Sequence, residues 1–160
     1  MTLPSSTPEV SDYGSVDPAP PATRGSSSDH RDVLLDEKAR MFERMRAVFA
    51  LRNDGSDRAV DTLCSAFSST SALLRHELAY VLGQMQNPRA LPTLWDRLED
   101  EEEHVMVRHE AAEAMGAIGD GRSRAVLERF LDHHAAEISE SCEVALDLLD
   151  WCERAEWNKE

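Results

Sequence analysis

Apolar residues recur at helical spacing along most of the chain. In the segment LLRHELAYVLGQMQNPRALPTL, at 73–94, one stripe of a helix consists of Leu74, Leu78, Val81, Leu82 and Met85. Asn87–Pro88 follows, and this dipeptide suits a helix N-cap with proline at the first helical position. A second apolar stripe then begins at Leu91. The segment is therefore predicted to be a pair of helices.

The same pattern returns along the chain. Residues 73–94 align with 106–127 at an offset of 33, which places His76-Glu77 on His109-Glu110. Weaker copies at 42–55 and 138–149 keep the apolar pattern without the His-Glu pair. No run alternates with the period of a strand. These observations predict an all-α, HEAT-like helical-repeat solenoid of about three and a half helix pairs, closed by a helix near 137–154.

The two ends of the chain differ in composition from this repeat region. Five of the seven prolines lie in the first 21 residues, among serines and few large apolar groups. Such a segment buries too little apolar surface to offset the entropy of ordering it. We therefore expect a disordered Pro/Ser-rich tail or linker at 1–31, a repeat domain at 32–155 and a flexible C-terminus at 156–160.

Net charge, apolar runs and cysteine content restrict the partners and the location that we expect for the protein. The net charge of −14 argues against nucleic acid as a partner, because phosphate binding needs a basic surface. Charges interrupt every apolar run, and the N-terminus resembles no signal peptide, so we expect neither membrane insertion nor secretion. Cys64, Cys142 and Cys152 show no CxxC spacing. The cysteines are therefore predicted to be reduced, as in a protein of the cytoplasm and also of the nucleus.

The paired His-Glu motifs are the candidate site. At about 100° per residue, both pairs point away from the apolar stripe, and neighbouring repeats would bring them together on one surface. Gly83 and Gly116, seven residues beyond each histidine, leave room for a ligand or for close helix packing. Imidazole and carboxylate donors with open positions suit Fe(II), Mn(II) or Zn(II).

A structural role for the same motifs remains open at this point. The motif glutamates could instead form a salt-bridge ladder with Arg75 and Arg108, which precede the two histidines. The arginines themselves are expected to bond acids of the neighbouring repeat. The acidic run at 100–103 is interpreted as a solvated turn.

Three segments together resemble the C-terminal half of deoxyhypusine hydroxylase: LLRHELAYVLGQMQNPRALPTL, MVRHEAAEAMGAIGD and SCEVALDLL. The resemblance covers about residues 39–152. Members of that family are solenoids of eight HEAT-like helix pairs in two halves of four, and each half contributes two His-Glu motifs to a di-iron centre. The resemblance therefore implies that His76, Glu77, His109 and Glu110 are metal ligands.

The resemblance also implies a reaction and partners. The family uses two Fe(II) per complete site and O₂ to hydroxylate the deoxyhypusine residue of a translation factor, which forms hypusine. Glu77 or Glu110 would contact the substrate amine. The other two His-Glu motifs have no counterpart in residues 1–40. We therefore expect a fragment that is inactive alone and needs the missing N-terminal half or a second copy of itself.

Two other functions are compatible with a HEAT-like solenoid. A non-catalytic HEAT-repeat scaffold would use the same surface to bind a protein segment. A HEAT-like lyase or metal-dependent module of another pathway fits less well, because generic repeats lack the paired His-Glu motifs.

Overall fold

A computed structural model describes residues 17–157, with side chains through Arg154. In this part of the chain all regular structure is helical. The α-helices are α1 Ser27–Leu35, α2 Met41–Asp54, α3 Asp57–Ser65, α4 Ala72–Met85, α5 Leu91–Glu99, α6 Val105–Ile118, α7 Arg124–Glu128 and α8 Ala136–Trp157. Short 3-10 helices at Ala66–Ser68, Pro88–Ala90 and Gly121–Ser123 lie between them.

The helices form the predicted repeats. In sequence, α3 follows α2, α5 follows α4 and α7 follows α6, as the repeat units predict. In space, α5 packs against α6, and both α6 and α7 pack against α8, which closes the array. The first helix of each pair lies beside the first helix of the next, so α2, α4, α6 and α8 form one layer. The apolar stripe predicted for α4 faces the core, where Leu74, Leu78 and Leu82 are fully buried. The all-α HEAT-like architecture is confirmed.

Local signals set the helix ends. The Ser71 hydroxyl accepts a hydrogen bond from the backbone N–H of Leu74 at the start of α4. Asn87 is an N-cap, as predicted, but the helix that it caps is the 3-10 helix Pro88–Ala90. Helix α5 begins after it, at Leu91. Gly119 ends α6 in the left-handed region at φ +77°, which glycine adopts without strain.

The folded domain starts earlier than the predicted boundary at residue 32. Helix α1 begins at Ser27 behind a capping box, in which Ser26 and Asp29 each bond the other's backbone N–H. Before it, Ala19 is buried, and the backbone N–H of Ala22 donates to the carbonyl of Arg46 in α2. Small residues can therefore pack here although the segment is poor in large apolar groups. Residues 1–16 and 158–160, at the two predicted flexible ends, lie outside the described residues.

The described part of the chain contains no helix that combines the length and the apolar character needed to cross a membrane.

Close helix packing is the role that the structure gives to the two glycines. A Cβ on Gly83 would lie 2.9 Å from the Cα of Ala114, and one on Gly116 would lie 2.9 Å from the Cα of Ala145. Backbone atoms cannot move aside as a flexible side chain can. The absent side chains therefore allow α4, α6 and α8 to approach closely.

Gly83→Ala is expected to lower the free energy of unfolding. Overpacking typically costs about 1–3 kcal/mol, which outweighs the gain in helix propensity of up to ~1 kcal/mol. Chemical denaturation followed by circular dichroism measures the difference. Gly121→Ala is the matched control, because its Cβ would meet nothing closer than Glu153 Oε1 at 3.8 Å. Equal stability of the two variants would contradict the packing role of Gly83.

Candidate metal centre

The two His-Glu motifs lie side by side in the structure. His76 and Glu77 occupy the middle of α4, and His109 and Glu110 occupy the middle of α6. The close contact at Gly83 and Ala114, one to two helical turns further along, sets the separation of these helices. The predicted convergence of the motifs on one surface is therefore found.

Glu110 stands between the two imidazoles. Its Oε2 lies 3.1 Å from His76 Nε2 and 3.7 Å from His109 Nε2. The ring centroids of the two histidines are 6.0 Å apart. One potential ligand atom from each of these three residues lies within 4.8 Å of the other two. A single ion placed among them could be bound by all three.

Glu77 takes a different position. Its Oε1 lies 3.6 Å from His76 Nδ1, on the other ring nitrogen from the one that meets Glu110. Glu77 is not part of the three-residue cluster found among the described residues. It therefore lies next to the cluster, and its role as a ligand stays a prediction.

The charge state of His76 reflects this environment. Its hydrogen bond with Glu110, followed by its interaction with Glu77, raises its pKa to about 9, although partial burial opposes the shift. A protonated His76 therefore offsets the charge of the nearby carboxylates when no metal is bound. A divalent cation could fulfil the same electrostatic role.

The donor set fits a transition metal. Two imidazoles with a carboxylate between them are the ligand types that Fe(II), Mn(II) and Zn(II) accept. The buried Nδ1 of His76 makes no hydrogen bond and lies 3.6 Å from Glu77 Oε1, on the side of the ring away from Glu110. The donor set itself is the one expected of residues that hold an ion.

The alternative salt-bridge ladder is wrong. The Arg75 guanidinium donates to Glu103, with Nη2 at 2.8 Å from Oε1. Arg108 donates from Nε to the carbonyl of Leu98 at 2.9 Å. In the described residues, neither arginine pairs with Glu77 or Glu110. The prediction that the arginines bond acids of the neighbouring repeat is confirmed for Arg75 and wrong for Arg108.

Glu103 is a residue that sequence reasoning misjudged. It belongs to the acidic run interpreted as a solvated turn, yet its side chain is only 2% exposed. It accepts hydrogen bonds from Arg75, from Arg97 and from the backbone N–H of His104. Burial alone would raise its pKa, but the bonds from Arg75 and His104 hold that pKa below its usual value. Glu103 thus joins α4 and α5 to the start of α6.

An acidic cleft of about 310 Å³ opens beside the cluster. Its lining consists of His109, Glu113, Glu137, Glu140, Ser141 and Val144. Three carboxylates within one cleft favour a cationic ligand.

Apolar side chains flank the motifs on the same surface. Leu73 and Tyr80 are exposed and lie three residues before and four residues after His76, which places them on one face of α4. Val144 lines the cleft, and Leu148 and Trp151 continue along α8 at helical spacing. These exposed groups are typical of a surface that another polypeptide covers.

The comparisons with known proteins agree with this description. Residues 34–106 match the family model for HEAT repeats, and residues 107–133 match that for the PBS lyase HEAT-like repeat. The chain is 51% identical to deoxyhypusine hydroxylase-B of Oryza sativa over 143 residues, 50% to deoxyhypusine hydroxylase of Danio rerio over 139, and 47% to that of Homo sapiens over 143. The chain is a homologue of deoxyhypusine hydroxylase.

The match to these hydroxylases covers only part of each. The three alignments include 87–89% of this chain and 46–47% of the relative, so the chain spans about half the length of the curated relatives it matches. The structure of human deoxyhypusine hydroxylase in complex with glycerol superposes with a TM-score of 0.86 at 46% identity. That superposition covers 90% of this chain and 50% of the human chain.

Glu103→Gln should lower the free energy of unfolding by about 3 kcal/mol at pH 7, because it removes one charge of a buried ion pair. The lowered pKa of Glu103 means that its stabilising effect is present above its unfolded pKa of about 4.3. That effect is lost as the pH falls through the folded value, so the difference from the wild type should shrink below about pH 4. Urea denaturation between pH 3 and 7 measures it.

The exposed Glu102→Gln is the matched control. A difference between Glu103→Gln and the wild type that stays constant down to pH 3 would contradict the ionic role of Glu103.

Proposed function

We propose that this chain supplies half of the metal centre of a deoxyhypusine hydroxylase, which converts the deoxyhypusine residue of a translation factor to hypusine. The observation that carries the proposal is the convergence of His76, His109 and Glu110 within 4.8 Å in a homologue of that enzyme. The hydroxylated residue and the translation factor are taken from the relatives and belong to the proposal.

His76 and His109 would hold Fe(II) through imidazole nitrogens, with the Glu110 carboxylate between them. Glu77 supplies a second carboxylate, either for the metal or for the ammonium group of the substrate. Bound iron, two ions per complete site, supplies the electrons with which O₂ is activated for hydroxylation of a C–H bond. This chemistry needs open coordination positions on the metal for O₂. Ligands that come from only two helices would leave such positions.

The chain's own residues favour a cationic substrate. Glu113, Glu137 and Glu140 line the cleft beside His109, and their negative charge would attract an amine-bearing side chain. Val144 in the same cleft offers an apolar contact for the methylene groups of that side chain. The substrate would therefore enter along α8 and reach the metal from the His109 side.

The proposed site is incomplete in one copy of the chain. The side chain of His109 is 27% exposed, and apolar groups surround the motifs on an open surface. The corresponding positions of α2 and α8 carry Met45-Arg46 and Glu140-Ser141, so these helices add no further His-Glu pair to the two on α4 and α6. The missing half of the enzyme or a second copy of this chain would cover the surface and complete the donor set.

Iron stoichiometry tests the metal proposal. We expect protein reconstituted with Fe(II) without oxygen to hold up to one iron per chain, and His109→Ala to lose it. His134→Ala is the matched control, because His134 is exposed and lies outside the cluster. Molar mass recorded by light scattering on the same samples shows whether iron accompanies a dimer. A folded chain with no more iron than His109→Ala would overturn the proposal and favour the scaffold function.

Activity tests the reaction. We expect the chain alone to leave a deoxyhypusine-bearing translation factor unchanged. Coexpression with the part of human deoxyhypusine hydroxylase that the chain does not match should restore hydroxylation. Mass spectrometry of the translation factor would then show the addition of one oxygen atom. Turnover by the chain alone would contradict its incompleteness. An iron-loaded pair without turnover, beside an active full-length human enzyme, would contradict the proposed reaction.

A further inference from the structure

Helix α8 contributes a residue to the surroundings of the candidate metal centre. Its position 140–141 corresponds to the His-Glu motifs of α4 and α6 but holds Glu140-Ser141. Close packing of α8 on α6 at Gly116 brings Ser141 against the motif of α6. Ser141 is 6% exposed, so its hydroxyl needs a partner within the protein.

That partner is His109. The Ser141 Oγ lies 3.2 Å from His109 Nδ1, while the other ring nitrogen, Nε2, is the one that lies 3.7 Å from Glu110. The imidazole of His109 therefore lies between Ser141 of α8 and Glu110 of α6. The Glu113 carboxylate also approaches Nδ1, but at 3.6 Å and from a half-exposed side chain. Ser141 thus makes the shorter and better buried contact.

The two nitrogens of a neutral imidazole have complementary roles. A histidine that binds a metal through Nε2 keeps its proton on Nδ1 and donates it to a nearby acceptor, which fixes the tautomer and the ring orientation. A serine hydroxyl can accept such a hydrogen bond. The Nδ1 of His76 makes no hydrogen bond and has Glu77 Oε1 at 3.6 Å, whereas the Nδ1 of His109 has the Ser141 hydroxyl of α8 at 3.2 Å.

We propose that Ser141 is a positioning residue, which holds His109 with its proton on Nδ1 and its Nε2 directed toward His76 and Glu110. Its importance for metal binding rests on the proposed function, but the orientation of His109 can be measured without a metal. Helix α8 would then complete a site whose ligands come from α4 and α6.

Histidine ¹⁵N chemical shifts in the metal-free chain test the orientation. They distinguish the two tautomers and are recorded at pH 8, above the usual histidine pKa of about 6.5. We expect the Nδ1–H tautomer of His109 to predominate in the wild type and in Ser141→Thr, which retains the hydroxyl. In Ser141→Ala the population should shift toward Nε2–H. Ser139→Ala is the matched control, because the Ser139 hydroxyl donates to the carbonyl of Ala136 in the same helix.

Zn(II) affinity, measured by competition with a chromogenic chelator, tests the consequence. Loss of a group that orients a metal ligand typically weakens binding about 10–100-fold. We expect a loss of that size in Ser141→Ala, and none in Ser139→Ala. An unchanged His109 tautomer in Ser141→Ala would overturn the positioning role. If the tautomer shifts in Ser141→Ala but the wild-type chain binds no zinc, the positioning role of Ser141 stands and the proposed metal function is contradicted.

Discussion

The close approach of α4, α6 and α8 is the constraint on which the rest of the structure depends. At Gly83 and again at Gly116, the next helix brings a backbone Cα to within 2.9 Å of where a Cβ would stand. A bulkier residue at either position would separate the helices. The distance of 3.1 Å between His76 and Glu110, and that of 3.2 Å between His109 and Ser141, both require these contacts. A repeat protein can thus build a polar site from side chains that are far apart in sequence.

Electrostatic balance is the second requirement of this surface. The chain carries a net charge of −14, and the candidate site places two carboxylates, those of Glu77 and Glu110, against the imidazole of His76. In the metal-free chain, protonation of His76 offsets part of that charge. Away from the site, Arg75 and Arg97 neutralise the buried Glu103, which joins successive repeats just before α6 begins. Favourable charge pairing therefore supports both the packing and the proposed chemistry.

Much of the architecture can be predicted from the sequence, because repetition makes it explicit. The 33-residue offset aligns the two His-Glu pairs, and helical phase then places both on one surface. Other features depend on contacts that periodicity does not encode. The burial of Glu103 requires arginines from two other helices, so the acidic run in which it lies resembles a solvated turn. Ser141 belongs to no motif, and only the packing of α8 on α6 brings it to His109. Apolar periodicity does not reveal the start of helix α1, because its capping box lies in a segment poor in large apolar residues.

A crystal structure of the chain grown with Fe(II) without oxygen would show whether the paired His-Glu motifs hold iron. Anomalous scattering at the iron edge locates the metal independently of the protein geometry. We expect a peak within bonding distance of His76, His109 and Glu110, with the direct hydrogen bond between His76 and Glu110 replaced by bonds to the ion. An iron-free cluster that keeps this hydrogen bond in the presence of excess Fe(II) would contradict this expectation.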